Sequence, residues 1–181
     1  MLTDYLRDHA FTLGWFGLMA FVWFGWAQED PPERHRWKLG VGSGLGLLLA
    51  VAFGVSVYRH WGAGSALEGQ YALFGVLTGI ELVAAGIGCL VLARQRRTRW
   101  MAWWVALVVA LHFVPLAFLL DDTSLLGVAV AQLSLLGGVW ARQRSRTATT
   151  SFESGVVMGG SLLMFAIISA VVFVVRWGSP W

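Results

Sequence analysis

Six long apolar segments, separated by short polar loops, constrain this chain more than any other feature of its sequence. A helix needs about 20 apolar residues to cross the hydrocarbon core of a membrane, and each segment is close to that length. We therefore predict an all-α fold, a polytopic membrane bundle of six transmembrane helices that forms a single domain over residues 1–181. The predicted spans are 10–27, 39–58, 71–93, 100–120, 124–141 and 152–175.

The composition agrees with a membrane protein and disfavours a soluble one. Hydrophobic residues make up 57% of the chain and charged residues 13%, whereas soluble domains have about 45–50% and about 25%. The net charge of +3 comes from basic residues in short loops between apolar segments. We therefore expect the lipid bilayer to be the principal partner and expect no nucleic acid to bind.

The distribution of basic residues predicts how the chain is oriented in the membrane. Loops 28–38, 94–99 and 142–151 carry 3, 4 and 3 of the 13 lysine and arginine residues, and these alternate loops must share one side. Positive loops stay in the cytoplasm, so both termini are expected to be extracytoplasmic. Residues 1–9 carry mixed charge, unlike a signal peptide, so the first segment is expected to remain as a span. The excess of arginine over lysine favours a bacterial source, and hence the plasma (inner) membrane.

Three polar side chains on successive predicted helices are expected at a similar depth. Glu81 lies about 15 Å into the third span from its outer end, and His112 and Gln132 lie about 12 Å into the fourth and fifth. Ionisable residues within spans are costly and often mark functional sites. We therefore predict a site for a proton, a small solute or a lipid-like ligand around these three residues.

Other residues extend this predicted site. Thr78 shares a helical face with Glu81, and Ser161 on the sixth helix can complete the lining. Pro115 follows His112 by one helical turn and should act as a hinge, because proline interrupts helical hydrogen bonding. The alternative is purely structural, with Glu81 and His112 satisfying each other and fixing the register of two helices.

Tryptophans and glycines add two further expectations. Trp15, Trp103 and Trp104 lie deep enough to wall an apolar pocket, although packing or lipid-facing roles are the alternative. Glycines at small-xxx-small spacing let helix backbones approach closely, either within one bundle or in a homo-oligomer through helix two or six. The pairs are Gly40/Gly44, Gly42/Gly46, Gly75/Gly79 and Gly155/Gly159.

Sequence motifs that identify several common classes of enzyme are absent from this chain. The sequence contains no G-x-S-x-G, P-loop, H-E-x-x-H or C-x-x-C motif, which argues against the enzymes that use them. Glu81 and His112 alone offer too few ligands for a metal. His9, His35 and His60 fall at or outside the ends of the predicted spans, which disfavours haem. We expect no cofactor and no bound metal.

Residues 111–117 (LHFVPLA) follow an arginine-rich loop and a tryptophan-bearing helix start. This run resembles a signature of small, uncharacterised bacterial multi-helix integral membrane proteins, and the likeness covers residues 84–120. The resemblance implies that His112 and Pro115 belong to a helix of a compact membrane bundle. It implies no activity.

Three functions therefore remain open. The first is a small membrane transporter or channel-like protein, for which we expect a polar path from the Glu81–His112 site to both faces. The second is a membrane-embedded enzyme acting on a lipid or isoprenoid, with Glu81 and His112 as acid and base and a cavity that opens sideways or to one face. The third is an accessory subunit without a pocket, in which the two side chains are sealed against each other.

Overall fold

The computed structural model describes residues 4–181, and these form an all-helical bundle without strands. Residues 1–3, which belong to the predicted single domain and to the leader before its first span, lie outside the described residues. A short 3-10 turn, Thr98–Trp100, precedes the fourth helix. The six α-helices are α1 (Leu6–Trp26), α2 (Glu33–Arg59), α3 (Tyr71–Arg94), α4 (Met101–Leu119), α5 (Ser124–Gln143) and α6 (Ser151–Trp177).

Each predicted span lies on one of these helices, and the main differences are at two helix starts. α1 begins at Leu6 and α2 at Glu33, both earlier than predicted. Pro32 occupies the position before α2 with extended backbone, so the polar stretch 33–38 can continue as helix from there. Glu33 in the first turn is favourable because its charge complements the helix dipole.

Within residues 4–181, five helices are long and apolar enough to cross a membrane, and these are α2 to α6. α1 has sufficient length at 21 residues, or about 31 Å. Its tryptophans, its glycines and the charged residues of its first turn lower its mean hydropathy. The described residues therefore establish five membrane-compatible helices.

α1 is packed between α2 and α6, at distances that only glycine allows. A methyl group on Gly46 would lie 2.6 Å from the backbone oxygen of Gly17 on α1. A methyl group on Gly155 of α6 would lie 2.6 Å from the backbone oxygen of Trp23. The three helices therefore meet at backbone contact, the arrangement that small residues permit between membrane helices.

The phenyl ring of Phe24 fills the remaining space between α1, α2 and α6. A Cβ atom added to Gly42 would lie 2.7 Å from this ring, and one added to Gly159 would lie 3.0 Å from it. By contrast, nothing lies within 4 Å of a Cβ atom added at Gly40, Gly44, Gly75 or Gly79. Half of the glycines at small-xxx-small spacing thus pack inside the bundle, and the other half face outward.

The remaining helices differ sharply in burial. α4 and α5 contribute to one buried core together with α1, α2 and α6. α3 packs mainly on α4, and none of its residues, all of which are described, is buried. α3 is therefore a peripheral helix held mainly by α4.

The loops gather at two opposite ends of the bundle. At one end, the Arg99 guanidinium donates to the backbone oxygen of Gln143 at 3.3 Å, and the Thr150 N–H donates to the backbone oxygen of Arg99 at 3.0 Å. At the other end, Arg7 donates to the backbone oxygen of Trp61 at 2.9 Å and to the Tyr71 hydroxyl at 3.0 Å. The arginine-rich loops 94–99 and 142–151 therefore lie together, away from the start of α1 and the α2–α3 loop.

Candidate functional site

Glu81 of α3 and His112 of α4 meet where these two helices pack together. The Glu81 Oε2 atom lies 3.5 Å from the His112 Nδ1 atom, and the two side chains are 18% and 10% exposed. The His112 Nδ1 atom nevertheless has no hydrogen-bond partner among the described residues. The two groups are thus close enough to interact by charge but are not aligned for a hydrogen bond, which leaves both able to bind another partner.

An apolar groove lies along the α3–α4 contact, beginning one helical turn from Glu81 on the side of the arginine-rich end, and neither Glu81 nor His112 lines it. Its volume is about 420 Å³, and it is lined by Ala84, Ile87, Gly88, Val91, Leu92 and Trp104. Ile87 and Val91 are exposed, so the groove opens at the side of the bundle. Ala84 and Gly88 lie one and two helical turns from Glu81 on the same face of α3.

Trp104 forms the α4 wall of this groove. Its indole N–H donates to the backbone oxygen of Ala84 at 3.1 Å. The ring lies directly over Gly88, so closely that any Cβ atom at this position would overlap it. Gly88 therefore provides the space in which the indole crosses from α4 to α3.

Two further predicted site residues lie on these helices. Thr78 is half-buried one turn before Glu81, and its Oγ1 atom is buried without a hydrogen-bond partner among the described residues. Pro115 lies inside α4 and is exposed. Because proline has no N–H, the carbonyl of Leu111 lacks its helical donor, one residue from His112.

Gln132 and Ser161 form a separate pair between α5 and α6. The Gln132 side chain is 0% exposed, and its Nε2 atom donates to the Ser161 Oγ atom at 2.9 Å. Ser161 in turn donates to the backbone oxygen of Met158 at 3.0 Å. Within residues 4–181, no hydrogen bond or ion pair joins this pair to Glu81, His112 or Thr78. The five predicted site residues therefore form two local groups.

The deep tryptophans have three different environments. Trp104 lines the groove, whereas the indole of Trp103 donates to the backbone oxygen of Leu136 on α5 at 2.9 Å. Trp15 is exposed and stacks on Phe11, with a ring-centroid distance of 6.1 Å. Only Trp104 thus walls a cavity next to the Glu81–His112 pair.

The structure also buries a histidine that the sequence placed outside the helices. His9 lies in the first turns of α1 and is 1% exposed. The missed signal is the spacing of His9, Leu13, Phe16 and Ala20, which lie three or four residues apart and therefore on one helical face. Those residues are all buried, so an earlier helix start would have predicted a buried His9.

No protein-family model, no curated protein and no solved structure matches this chain. The likeness of residues 111–117 to small bacterial membrane proteins therefore stays a prediction. Among the described residues there is also no group of three or more histidine, cysteine, aspartate or glutamate side chains that could hold a metal ion.

Proposed function

We propose that this chain is a small multi-pass transporter of the bacterial inner membrane, which carries a lipophilic cation in exchange for protons. The proposal depends on one observation. Glu81 and His112 lie 3.5 Å apart without a hydrogen bond, beside an apolar groove that opens sideways. A carboxylate next to an apolar wall suits a ligand that has a positive charge and an apolar body.

The shape of the groove narrows the class of solute. The residues that line this groove are apolar, so the groove does not supply the polar path to both faces that we expected of a transporter, and a hydrophilic solute has no route along it. A lipophilic cation can instead enter from the hydrocarbon region between α3 and α4. Trp104 adds an aromatic surface for such a cation.

The packing of α3 supports movement during transport. α3 is held mainly by α4 and has no buried residue within 71–94. α3 can therefore shift along α4 at low cost, because little packing has to be broken, whereas α4 stays fixed in the buried core. Pro115 lies one turn from His112 and supplies the hinge.

The proposed topology has six spans with both termini outside the cytoplasm. α1 packs against two membrane-compatible helices, and the large side chains that it exposes, such as Phe11, Phe21 and Val22, are apolar, as a lipid-facing span requires. The arginine-rich loops gathered at one end favour placing that end in the cytoplasm. Alkaline phosphatase fused after Trp181 should be active, and the same enzyme fused within 142–151 should be inactive; the opposite pattern would refute this topology.

A binding and transport assay tests the function. Tetraphenylphosphonium should bind the purified protein and accumulate in proteoliposomes under an imposed proton gradient. Glu81→Gln should weaken binding at least about tenfold, because it removes a charge from an apolar site. Glu68→Gln, an exposed carboxylate in the α2–α3 loop, is the matched control. Wild-type protein that fails to bind this cation, or a Glu81→Gln variant that binds normally, would refute the proposal.

The second candidate is an enzyme that acts on a lipid or isoprenoid, and the sideways opening of the groove favours it. Glu81 and His112 would then act as acid and base on a substrate that enters from the bilayer. Wild-type protein in nanodiscs made from bacterial lipids should then convert a lipid species over time. His112→Gln should stop this conversion, and an unchanged lipid profile with wild-type protein would exclude the enzyme.

A further inference from the structure

A second cavity lies at the opposite end of the bundle from the arginine-rich loops. It has a volume of about 160 Å³ and is enclosed by α1, α6 and the turn between α4 and α5. Exposed Ser124 and Ile168 lie at its rim, so a small molecule can enter from the surface. None of the residues of the Glu81–His112 site lines it.

His9 lines this cavity and has one ring nitrogen without a partner among the described residues. Its Nε2 atom lies 2.9 Å from the Ser169 Oγ atom. Its Nδ1 atom is buried and has no hydrogen-bond partner within the described part of the chain, although the residue is only 1% exposed. A buried polar atom without a partner is destabilising, so a ligand that bonds to Nδ1 would remove this cost.

Asp122 contributes a buried carboxylate to the same cavity. The residue is 3% exposed, and its Oδ1 atom accepts hydrogen bonds from the Ser124 N–H at 3.0 Å and the Ser124 hydroxyl at 2.6 Å. A carboxylate can accept about four hydrogen bonds, so Asp122 can accept more. Phe165 and Val172 add apolar walls.

We propose that this cavity binds a small primary ammonium compound with a short alkyl chain. With the Nε2 proton of His9 donated to Ser169, the Nδ1 lone pair and the Asp122 carboxylate both accept hydrogen bonds. An ammonium group donates three hydrogen bonds, and its positive charge complements the negative charge of Asp122. The alkyl chain packs against Phe165 and Val172. A cavity of about 150 Å³ holds benzene, so the ligand has about six non-hydrogen atoms.

Calorimetric titration of the full-length purified protein with n-pentylammonium tests this assignment. Wild-type protein should bind one molecule per chain. Asp122→Asn, which keeps an oxygen for the Ser124 donors, should weaken binding at least about tenfold because a charged hydrogen bond is lost. Asp121→Asn is the matched control: this exposed neighbour has φ +49°, a conformation that asparagine tolerates.

A second variant separates binding from folding. The amide of His9→Gln can reach Ser169 in place of Nε2 but offers no acceptor at the Nδ1 position, so it should also weaken binding while the protein remains monodisperse. Three results would overturn the proposal: no saturable binding to wild-type protein, equal losses in Asp122→Asn and Asp121→Asn, or 1-pentanol binding as tightly as n-pentylammonium. Glu81→Gln should leave this binding unchanged, which separates the cavity from the proposed transport site.

Discussion

Glycine has different structural roles in the α1–α2–α6 group and in the α3–α4 hairpin. In the first group, glycines bring three backbones into contact, as at Gly17 and Gly46. In the hairpin, Gly88 accommodates only the Trp104 side chain, and Gly75 and Gly79 have nothing near them. Sequence spacing thus marks where helices can approach, whereas the neighbouring helix decides whether they do.

Polar pairs show the same contrast between the two parts of the molecule. Gln132 and Ser161 are joined by a 2.9 Å hydrogen bond inside the bundle. Glu81 and His112 lie 3.5 Å apart without one, and Glu81 lies on a helix that has no buried residue. In the interior pair the Gln132 N–H group is thus fixed by a hydrogen bond, while its Oε1 atom lacks a partner among residues 4–181; in the hairpin pair no hydrogen bond joins the two side chains.

The largest expected effect is at the contact between α1 and α2. Gly46→Ala should lower the free energy of unfolding by about 2–3 kcal/mol, because its methyl group meets the backbone of α1, which cannot move aside. Gly44→Ala on the same helix should not destabilise, because nothing lies within 4 Å of its Cβ position. Unfolding in mixed micelles of increasing dodecyl sulfate, followed by circular dichroism, measures both. Equal losses would contradict the proposed role of close packing.

The interior polar pair should have the next largest effect. Ser161→Ala should cost about 1–2 kcal/mol, because it leaves the buried Gln132 amide without its acceptor. The matched control on α6 is Ser154→Ala, since the Ser154 hydroxyl is buried without a partner among residues 4–181 and its loss should be neutral or stabilising. Glu81→Gln should change stability by less than Ser161→Ala does, because Glu81 has no hydrogen bond to His112 that could be lost. The same unfolding assay measures all three variants. If Glu81→Gln lowered the free energy of unfolding more than Ser161→Ala did, the interior pair would not be the more stabilising of the two polar pairs.

A smaller effect is expected at the groove. Gly88→Ala should cost about 1 kcal/mol, because Trp104 can swing away but then loses its hydrogen bond to Ala84. Gly86→Ala, two residues earlier with an open Cβ position, is the control and should be neutral. A change in tryptophan fluorescence should accompany Gly88→Ala alone. Identical emission spectra for the two variants would mean that Trp104 does not depend on Gly88 for its position.

Most of the helical architecture follows from hydropathy alone. Five of the six predicted spans are membrane-compatible helices, because long apolar runs leave the backbone few alternatives to helix. The start of α2 was predicted too late, since the polar stretch 33–38 gives no hydropathy signal although it continues the helix after Pro32. Hydropathy also could not reveal that α3, one of the more apolar helices, would lie at the periphery.

The site was harder to predict, because depth along a helix does not specify the direction of a side chain. The sequence predicts Glu81, His112 and Gln132 at a similar depth in the membrane. Gln132, however, faces α6 and pairs with Ser161 there, whereas His112 lies on α4, on the other side of α5. The rotation of each helix about its own axis decides such contacts, and packing sets that rotation. His9 was missed for a different reason, namely that its helix begins at Leu6, before the apolar run that defined the predicted span.

The smallest effect is expected at the open glycines of α3, and it bears on association between copies of the chain. Gly79→Leu should leave the stability of one bundle unchanged, because no atom lies within 4 Å of the Cβ position. If two copies associate through α3, the leucine side chain would keep the two helix backbones apart. Multi-angle light scattering of wild-type and Gly79→Leu protein then distinguishes two causes of the exposure of α3. A dimer that becomes a monomer would show that a second copy covers this helix, and an unchanged mass would leave lipid as the neighbour of the hairpin.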